Sequence, residues 1–256
     1  RRATKGKSIM NFLSLEQGET VTSVLAMPKE MKAIEGLSLV LATRNGTIKR
    51  VSADKFRDVR RSGLISITLD KGDALISARF ARKGDDVILT TSKGQSIRFA
   101  KADVREMGRQ AGGVRGIKLG AGDFVVGSDI VPASEREAEL LVLSSTGYGK
   151  KTKLSEYKTQ GRGGSGIKTM SITAKTKQLV GAAVVAGGKS GGLPAAPNAA
   201  QAGELVAISQ KGTAIRTGLD EIPTLSRATQ GVRVMKLREN DKVASFVVFP
   251  ADEVAA

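Results

Sequence analysis

Four stretches of the chain can be laid over one another, and this recurrence constrains the fold more than any other feature. They are residues 37–69, 86–119, 139–172 and 204–237. Each opens with a short apolar run, such as LSLVLAT (37–43) or ELLVLSS (139–145), and then reaches a polar residue followed by glycine: Asn45-Gly46, Lys93-Gly94, Thr146-Gly147 and Lys211-Gly212. A basic segment and a short connection holding an acidic residue lead to a second glycine, at Gly63, Gly113, Gly166 or Gly231. The interval between the two glycines is 17 residues in the first unit and 19 in the other three.

Polar-Gly dipeptides between strand-like runs are hairpin turns, because two-residue loops need positive φ. After the second glycine the sequence alternates like a strand (Ile65, Ile67 and Leu69 in the first unit, Ile117 and Leu119 in the second), and DKGD (70–73) or GAGD (120–123) then leads to the apolar runs ALISARF and FVVGSDI. A unit of about 50 residues with roughly four short strands predicts an all-β, propeller-like array of four-stranded blades. The expected organisation is one domain over 1–256, with repeats at 37–85, 86–138, 139–203 and 204–256 behind a partial repeat at 1–36, whose second glycine is Gly6. GGKSGGLPAAPNAAQAG (187–203) has the composition of a flexible insertion loop, and it stretches the interval from Gly147 to Gly212 to 65 residues. The opening RRATKGKSIM has no signal-peptide layout and reads as the start of a piece of something longer.

Within the third unit, YKTQGRGGSGIKT (157–169) contains G-x-G-x-x-G at Gly161, Gly163 and Gly166. A dinucleotide site needs a strand before these glycines, a helix after them and an acidic residue about 20 positions on. Here a strand, turn and strand follow, and no Asp or Glu occurs from 157 to 203. The other units fill the same slot with RRSG, RQAGG and SRATQG, so the glycines belong to a repeated connection rather than to a cofactor site.

Charge supplies the function class. Lys and Arg number 41 against 25 Asp and Glu, a net charge of +16. So large an excess repels itself in the folded state and points to a polyanionic partner, nucleic acid before an anionic membrane. No apolar run reaches the roughly 18 residues of a membrane span. There is no cysteine or histidine, which removes disulfides, thiol nucleophiles, zinc fingers of the usual kind and imidazole acid–base chemistry. Aromatic residues make up 4%, with no Trp, so single strands find few stacking platforms. No recognition helix is evident, and a phosphate grip on duplex DNA fits best.

The cations themselves repeat. After the turn glycine come Lys49 and Arg50, then Arg98, then Lys150 and Lys151, then Arg216. Around the second glycine lie Arg60 and Arg61; Arg105, Arg109 and Arg115; Arg162 and Lys168; and Arg227 and Arg233. If the units form a ring, equivalent slots make a continuous basic belt. Bending about 40 base pairs through about 180° costs on the order of 10 kcal/mol. Several charge-assisted contacts of about 1.5–3 kcal/mol each offset that, and one repeat alone does not. Asp85-Asp86 and similar acidic pairs read as solvated loop residues, and no catalytic or metal-binding constellation is evident.

The chain resembles the C-terminal domains of DNA gyrase A subunits, of the type IIA topoisomerase family. The residues that carry this are SIMNFLSLEQGETVTSV (8–24), LATRNGTIKR (41–50), VREMGRQAGGVRGIKLGAGD (104–123), GYGKKTKLSEY (147–157) and SRATQGVRVMKL (226–237). The resemblance implies a β-pinwheel whose neighbouring repeats exchange strands, with DNA wrapped on a basic rim. It implies as partners double-stranded DNA, the N-terminal part of the gyrase A subunit, and the gyrase B subunit. It also implies a monomeric isolated domain without a cofactor of its own, ATP and Mg belonging elsewhere in a cytoplasmic, nucleoid-associated holoenzyme. In that family a box of the type QRRGGKG lies near the start of the domain. Gln160, Gly161, Arg162, Gly163, Gly164, Ser165 and Gly166 are similar to it, with Gly161 in place of an Arg and Ser165 in place of a Lys. Tyr148 and Tyr157 sit in the repeat framework, and the catalytic tyrosine of such an enzyme is expected outside this chain. The alternatives are the topoisomerase IV counterpart, which bends DNA to select substrates; a propeller adaptor for proteins; and an RNA-binding role.

Overall fold

Each apolar run and the basic segment after its turn glycine form an antiparallel hairpin, and the hairpins are the centres of the blades. The structure, a computed structural model, describes residues 8, 11, 15, 18–25, 34–56, 63–135, 137–186 and 203–249. In chain order the first unit holds β1 (Ser38–Thr43), β2 (Thr47–Ser52) and β3 (Leu75–Ala81), and the second β4 (Asp86–Thr91), β5 (Gln95–Ala100), β6 (Val114–Arg115) and β7 (Val125–Val131). The third holds β8 (Glu139–Ser144), β9 (Tyr148–Lys153), β10 (Ile167–Lys168) and β11 (Leu179–Val185). The fourth holds β12 (Glu204–Ser209), β13 (Ala214–Gly218), β14 (Val232–Arg233) and β15 (Val243–Phe249). Short 3-10 turns follow each hairpin, and no α-helix occurs among the described residues.

The sheets do not coincide with the sequence units. Their orders are β3-β1-β2-β6, β10-β5-β4-β7 and β11-β8-β9-β14, so the outer strand of each blade comes from the following unit. Arg115 pairs with Thr47, Lys168 with Gln95 and Arg233 with Tyr148. These donated strands are two residues long, shorter than the alternation after the second glycine predicts. Residues 63–69 of the first unit, including Ile65, form no strand. The fourth sheet has the order β13-β12-β15 and three strands among the described residues. At the opposite edges β3 packs against β7, β7 against β11 and β11 against β15, which lines the blades up around a common inner side and turns the donated strands outward.

The second glycine makes the exchange possible. Gly113, Gly166 and Gly231 have φ of 111°, 72° and 77°. A Cβ there would lie 2.8 Å from Ile48 O, 2.5 Å from Ser96 O and 2.5 Å from Gly149 O, each in the blade that receives the strand. Both the left-handed backbone and the close approach exclude a side chain. Gly63 has a φ of 76° and meets nothing within 4 Å among the described residues.

The core lies between blades as well as within them. Val40 and Ile48 of the first hairpin share one buried cluster with Val87, Leu89, Ile97 and Phe99 of the second, and Ile88 joins Leu140, Val142 and Tyr157 of the third. At about 1.5–3 kcal/mol per fully buried aliphatic side chain, no blade this small can be stable without its neighbours. Tyr157 is structural: it is 2% exposed, its hydroxyl lies 2.5 Å from Thr169 Oγ1, and burial pushes its pKa up to about 12. The reading of Asp85-Asp86 as solvated loop residues is corrected. Asp85 is buried and accepts the backbone N–H groups of Arg82 and Ala133, while Asp86 opens β4 and pairs with Arg98. Of the insertion 187–203 only Gly203 is described, and most of the partial repeat 1–36 also lies outside the described residues.

Candidate nucleic-acid interface

The donated strands carry the basic outer edge. Arg115, Lys168 and Arg233 stand two residues after their second glycines, and all three side chains are exposed. Because each sits on the strand that crosses to the preceding blade, successive junctions present one such cation apiece. A second cation joins it from the next connection. Arg162 donates from Nε to Asp103 O at 3.0 Å and from a terminal nitrogen to Arg115 O at 3.0 Å. Arg227 repeats the second contact one junction on, donating to Lys168 O at 3.1 Å.

The backbone repeats the docking too. Gly163 N–H donates to Gly116 O at 2.7 Å and Lys118 N–H to Gly164 O at 2.8 Å, while Ser171 N–H donates to Thr229 O at 3.1 Å. Arg115 is thereby set beside Arg162, and Lys168 beside Arg227. The like charges of Arg115 and Arg162 held together in this way cost energy unless a polyanion screens them, whereas Arg227 is half-buried with Glu156 Oε2 3.8 Å from its Nε and so is partly neutralised.

The hairpin slot is different, and several expected contacts there are corrected. Lys49 is fully buried; its Nζ donates to Ser66 O at 2.8 Å, to Ala111 O at 2.7 Å and to Arg109 O. Lys150 is fully buried too, donating to Ser226 O at 2.5 Å, Arg227 O at 2.7 Å and Thr229 Oγ1 at 3.1 Å. Desolvation lowers the pKa of both, that of Lys150 to about 8, with Arg227 pushing the same way and Glu156 opposing. Lys151 is buried in an ion pair with Glu139 at 3.2 Å. Arg98 is largely buried on Asp86, Nε to Oδ2 2.8 Å. None of these four offers a free charge to a phosphate.

Arg216 is exposed but paired with Glu204, and Arg50 is half-buried, with Ser38 where the other blades have an acid. The signal was present in the sequence: Asp86, Glu139 and Glu204 each begin a strand twelve residues before Arg98, Lys151 and Arg216.

Of the remaining expected residues, Arg105 is exposed and Arg109 half-buried, while Arg60 and Arg61 lie outside the described residues. The box-like loop faces outward at Gly161, Arg162 and Ser165, and Gly163 has a φ of 81°. Gly166 is glycine because β5 presses on it, so the pattern that resembles a cofactor fingerprint is partly a packing requirement. Two exposed cations were overlooked, Lys118 and Lys236, each three residues beyond a donated-strand arginine. With Lys175, Thr146, Tyr148 and Arg233, Lys236 borders an open cleft of about 330 Å³. The Arg233 guanidinium lies over the Tyr148 ring, 5.7 Å from its centroid. No group of His, Cys, Asp or Glu suited to a metal occurs among the described residues, and no helix among them is long and apolar enough to cross a membrane.

Fold and site together define a strand-exchanged propeller-like repeat domain with a basic outer edge. The chain belongs to the family of DNA gyrase C-terminal domains, beta-propeller, whose sequence model matches residues 1–26, 38–82, 85–132, 138–186 and 203–250. It is 37% identical over 257 residues to the DNA gyrase A subunit of Deinococcus deserti, covering 99% of this chain and 30% of that one. To the DNA gyrase A subunit of Escherichia coli it is 34% identical over 254 residues, covering 98% of this chain and 27% of that one. The chain thus spans less than a third of the length of these curated relatives. Among solved structures, a DNA gyrase A C-terminal domain matches with a TM-score of 0.77 at 26% identity, covering 97% of this chain and 76% of that one. The C-terminal domain of DNA topoisomerase IV shares the fold, with a TM-score of 0.81 at 21% identity over 97% of this chain and 72% of that one. The resemblance drawn from the sequence motifs and the pinwheel it implied are both borne out.

Proposed function

We propose that the chain binds double-stranded DNA without reading its sequence and wraps or bends it along the outer edge of the blades. The observation that carries this is the succession of junctions: Arg115 with Arg162, Lys168 with Arg227, then Arg233. A row of cations at blade spacing suits a phosphate backbone that passes several blades in turn, and the absence of a helix to enter a groove among the described residues leaves little base readout. In its family's setting the domain presents a curved duplex to a catalytic core elsewhere in the gyrase A subunit, while the gyrase B subunit hydrolyses ATP to drive negative supercoiling. Catalysis, ATP and Mg then belong to other parts of that cytoplasmic, nucleoid-associated assembly, and the domain contributes geometry.

The test is ligation topology: the protein is bound to nicked plasmid, the nick sealed, the protein removed and the linking number measured. The expected result is a shift that grows with protein and vanishes at high salt, because counterion release makes phosphate binding steeply salt-dependent. Tight binding without a shift would place the domain with simple benders such as the topoisomerase IV counterpart. No duplex binding at low salt would overturn the DNA reading in favour of a protein adaptor, and preference for double-stranded RNA would redirect it.

A further inference from the structure

The slot three residues after the turn glycine is Lys49, Ile97, Lys150 and Ile215 in the four units. In the first three units it points under the connection donated by the next unit. In the second blade Ile97 fills the space apolarly beneath that connection, its Cδ1 3.6 Å from where a Cβ on Gly164 would sit. In the first and third blades an ammonium occupies it, fully buried, with no carboxylate among its hydrogen-bond partners. An ammonium has three donors, and each of these two has three acceptors: for Lys150 all three lie in the next unit's connection, for Lys49 two do and the third is Ser66 O of its own unit. One acceptor in each set is the carbonyl of the half-buried arginine four residues before the second glycine, Arg109 O for Lys49 and Arg227 O for Lys150. The matching arginine of the second junction, Arg162, straps itself by its guanidinium to Asp103 O and Arg115 O with no buried ammonium beneath it, whereas Arg227 combines the equivalent strap to Lys168 O with the bond from Lys150.

Burying an ammonium among neutral dipoles is costly when an aliphatic side chain fits the same slot. Stability alone therefore does not account for lysine there. We propose that Lys49 and Lys150 are positioning residues for the nucleic-acid interface: each fixes the main-chain path of the following connection and with it the arginine, Arg109 or Arg227, whose carbonyl it binds. The inference rests on the DNA-binding reading above. Two unlike connections, RQAGG and SRATQG, receive the same buried cation, whereas the glycine-rich connection receives isoleucine. Neither lysine touches DNA, since neither Nζ reaches the surface.

A double-mutant cycle in the full 256-residue chain tests this, with affinity for a random-sequence duplex of about 40 base pairs read by fluorescence anisotropy at fixed salt. The variants are Lys150→Ile, Arg227→Ala and the pair, and circular dichroism and thermal melting confirm that each is folded. Arg227→Ala is expected to weaken binding roughly ten- to a hundredfold, the loss of one charge-assisted contact. Lys150→Ile should weaken it by a similar factor, and the double variant no more than Arg227→Ala alone. Multiplicative losses, or wild-type affinity in folded Lys150→Ile, would overturn the positioning role and leave the interface intact. Wild-type affinity in Arg227→Ala would instead remove Arg227 from the interface, and the DNA reading there with it. If Lys150→Ile fails to fold, Lys150→Met keeps the unbranched stem in the same space. The Lys49 and Arg109 pair repeats the cycle independently in the first blade.

Discussion

The second and third blades meet the same requirement, holding a connection lent by the next unit, by different means. The third blade receives its connection on charge: Lys150 beneath, and beside it the buried pair of Lys151 and Glu139, with Thr224 of the donated connection giving Glu139 Oε1 a 2.6 Å hydrogen bond. The second keeps an ion pair, Arg98 with Asp86, to which Thr159 of the donated connection donates at 3.1 Å, but puts Ile97 in the lysine slot beneath QGRGGSG, with Arg162 as an outside strap. A polar socket is directional and fails if one member is lost, because the partner is left buried and unpaired. An apolar seat under glycines is tolerant of its contents and demanding of backbone shape. One repeat template therefore yields junctions with different vulnerabilities.

The largest expected effect comes from breaking the polar socket. In Glu139→Ala, Lys151 stays buried without its counter-ion, and removing one member of a buried pair costs about 3 kcal/mol or more. The equivalent change in the fourth blade, Glu204→Ala, frees an Arg216 side chain that is 63% exposed, and so costs under about 1 kcal/mol. Urea unfolding of both variants checks the contrast. Equal midpoints would show that the third junction does not depend on its buried charges.

A smaller effect should appear in the pH dependence of stability. Burial lowers the Lys150 pKa from 10.5 to about 8 in the folded chain. Between those values the unfolded chain holds a proton that the folded chain has released, so stability rises with pH across that window. Below about pH 8 both states are protonated and the term is flat. The melting temperature of the wild type relative to Lys150→Ile should therefore climb by a few degrees between about pH 8 and about pH 10. A constant difference would mean that Lys150 keeps its full charge in the socket, despite its position between Arg227 and Glu156.

These contrasts mark how far the sequence could be read. Turn glycines and second glycines stood out because they answer local backbone demands at a fixed interval, and Gly113, Gly166 and Gly231 fulfil them with positive φ against a neighbouring carbonyl. Arg115, Lys168 and Arg233 were legible for a related reason: two residues beyond such a glycine the chain faces outward in every donated strand. Lys49 and Lys150 were misread as surface charges because all but one of their acceptors lie 60 or more residues away in the chain, Arg109 and Ala111 for one, Ser226, Arg227 and Thr229 for the other. A basic strand next to a turn looks the same whether or not a later unit covers it. The exchange itself followed from the family resemblance, since spacing alone does not say which blade a strand joins.

The smallest effect on stability should be found where the second junction is most open, at Gly161. It is exposed, its φ lies outside the left-handed region, and a Cβ would meet nothing within 4 Å. Nothing in the folded chain therefore requires glycine there. Gly161→Ala should leave stability unchanged or raise it by about 0.5 kcal/mol through the unfolded state. Its neighbours Gly163 and Gly166 both have positive φ, and Gly166 is pressed by Ser96 O, so the same substitution there would confound folding with binding. Gly161 is thus the position in the loop at which the two can be separated. If the loop brings its backbone N–H groups and Arg162 up to a phosphate, a methyl group at 161 intrudes on that approach, and duplex affinity should fall about threefold with the melting temperature unaltered. Unchanged affinity would mean that QGRGGSG serves only to carry the chain between blades, and that Arg162 reaches DNA, if at all, from the side held by Arg115 O.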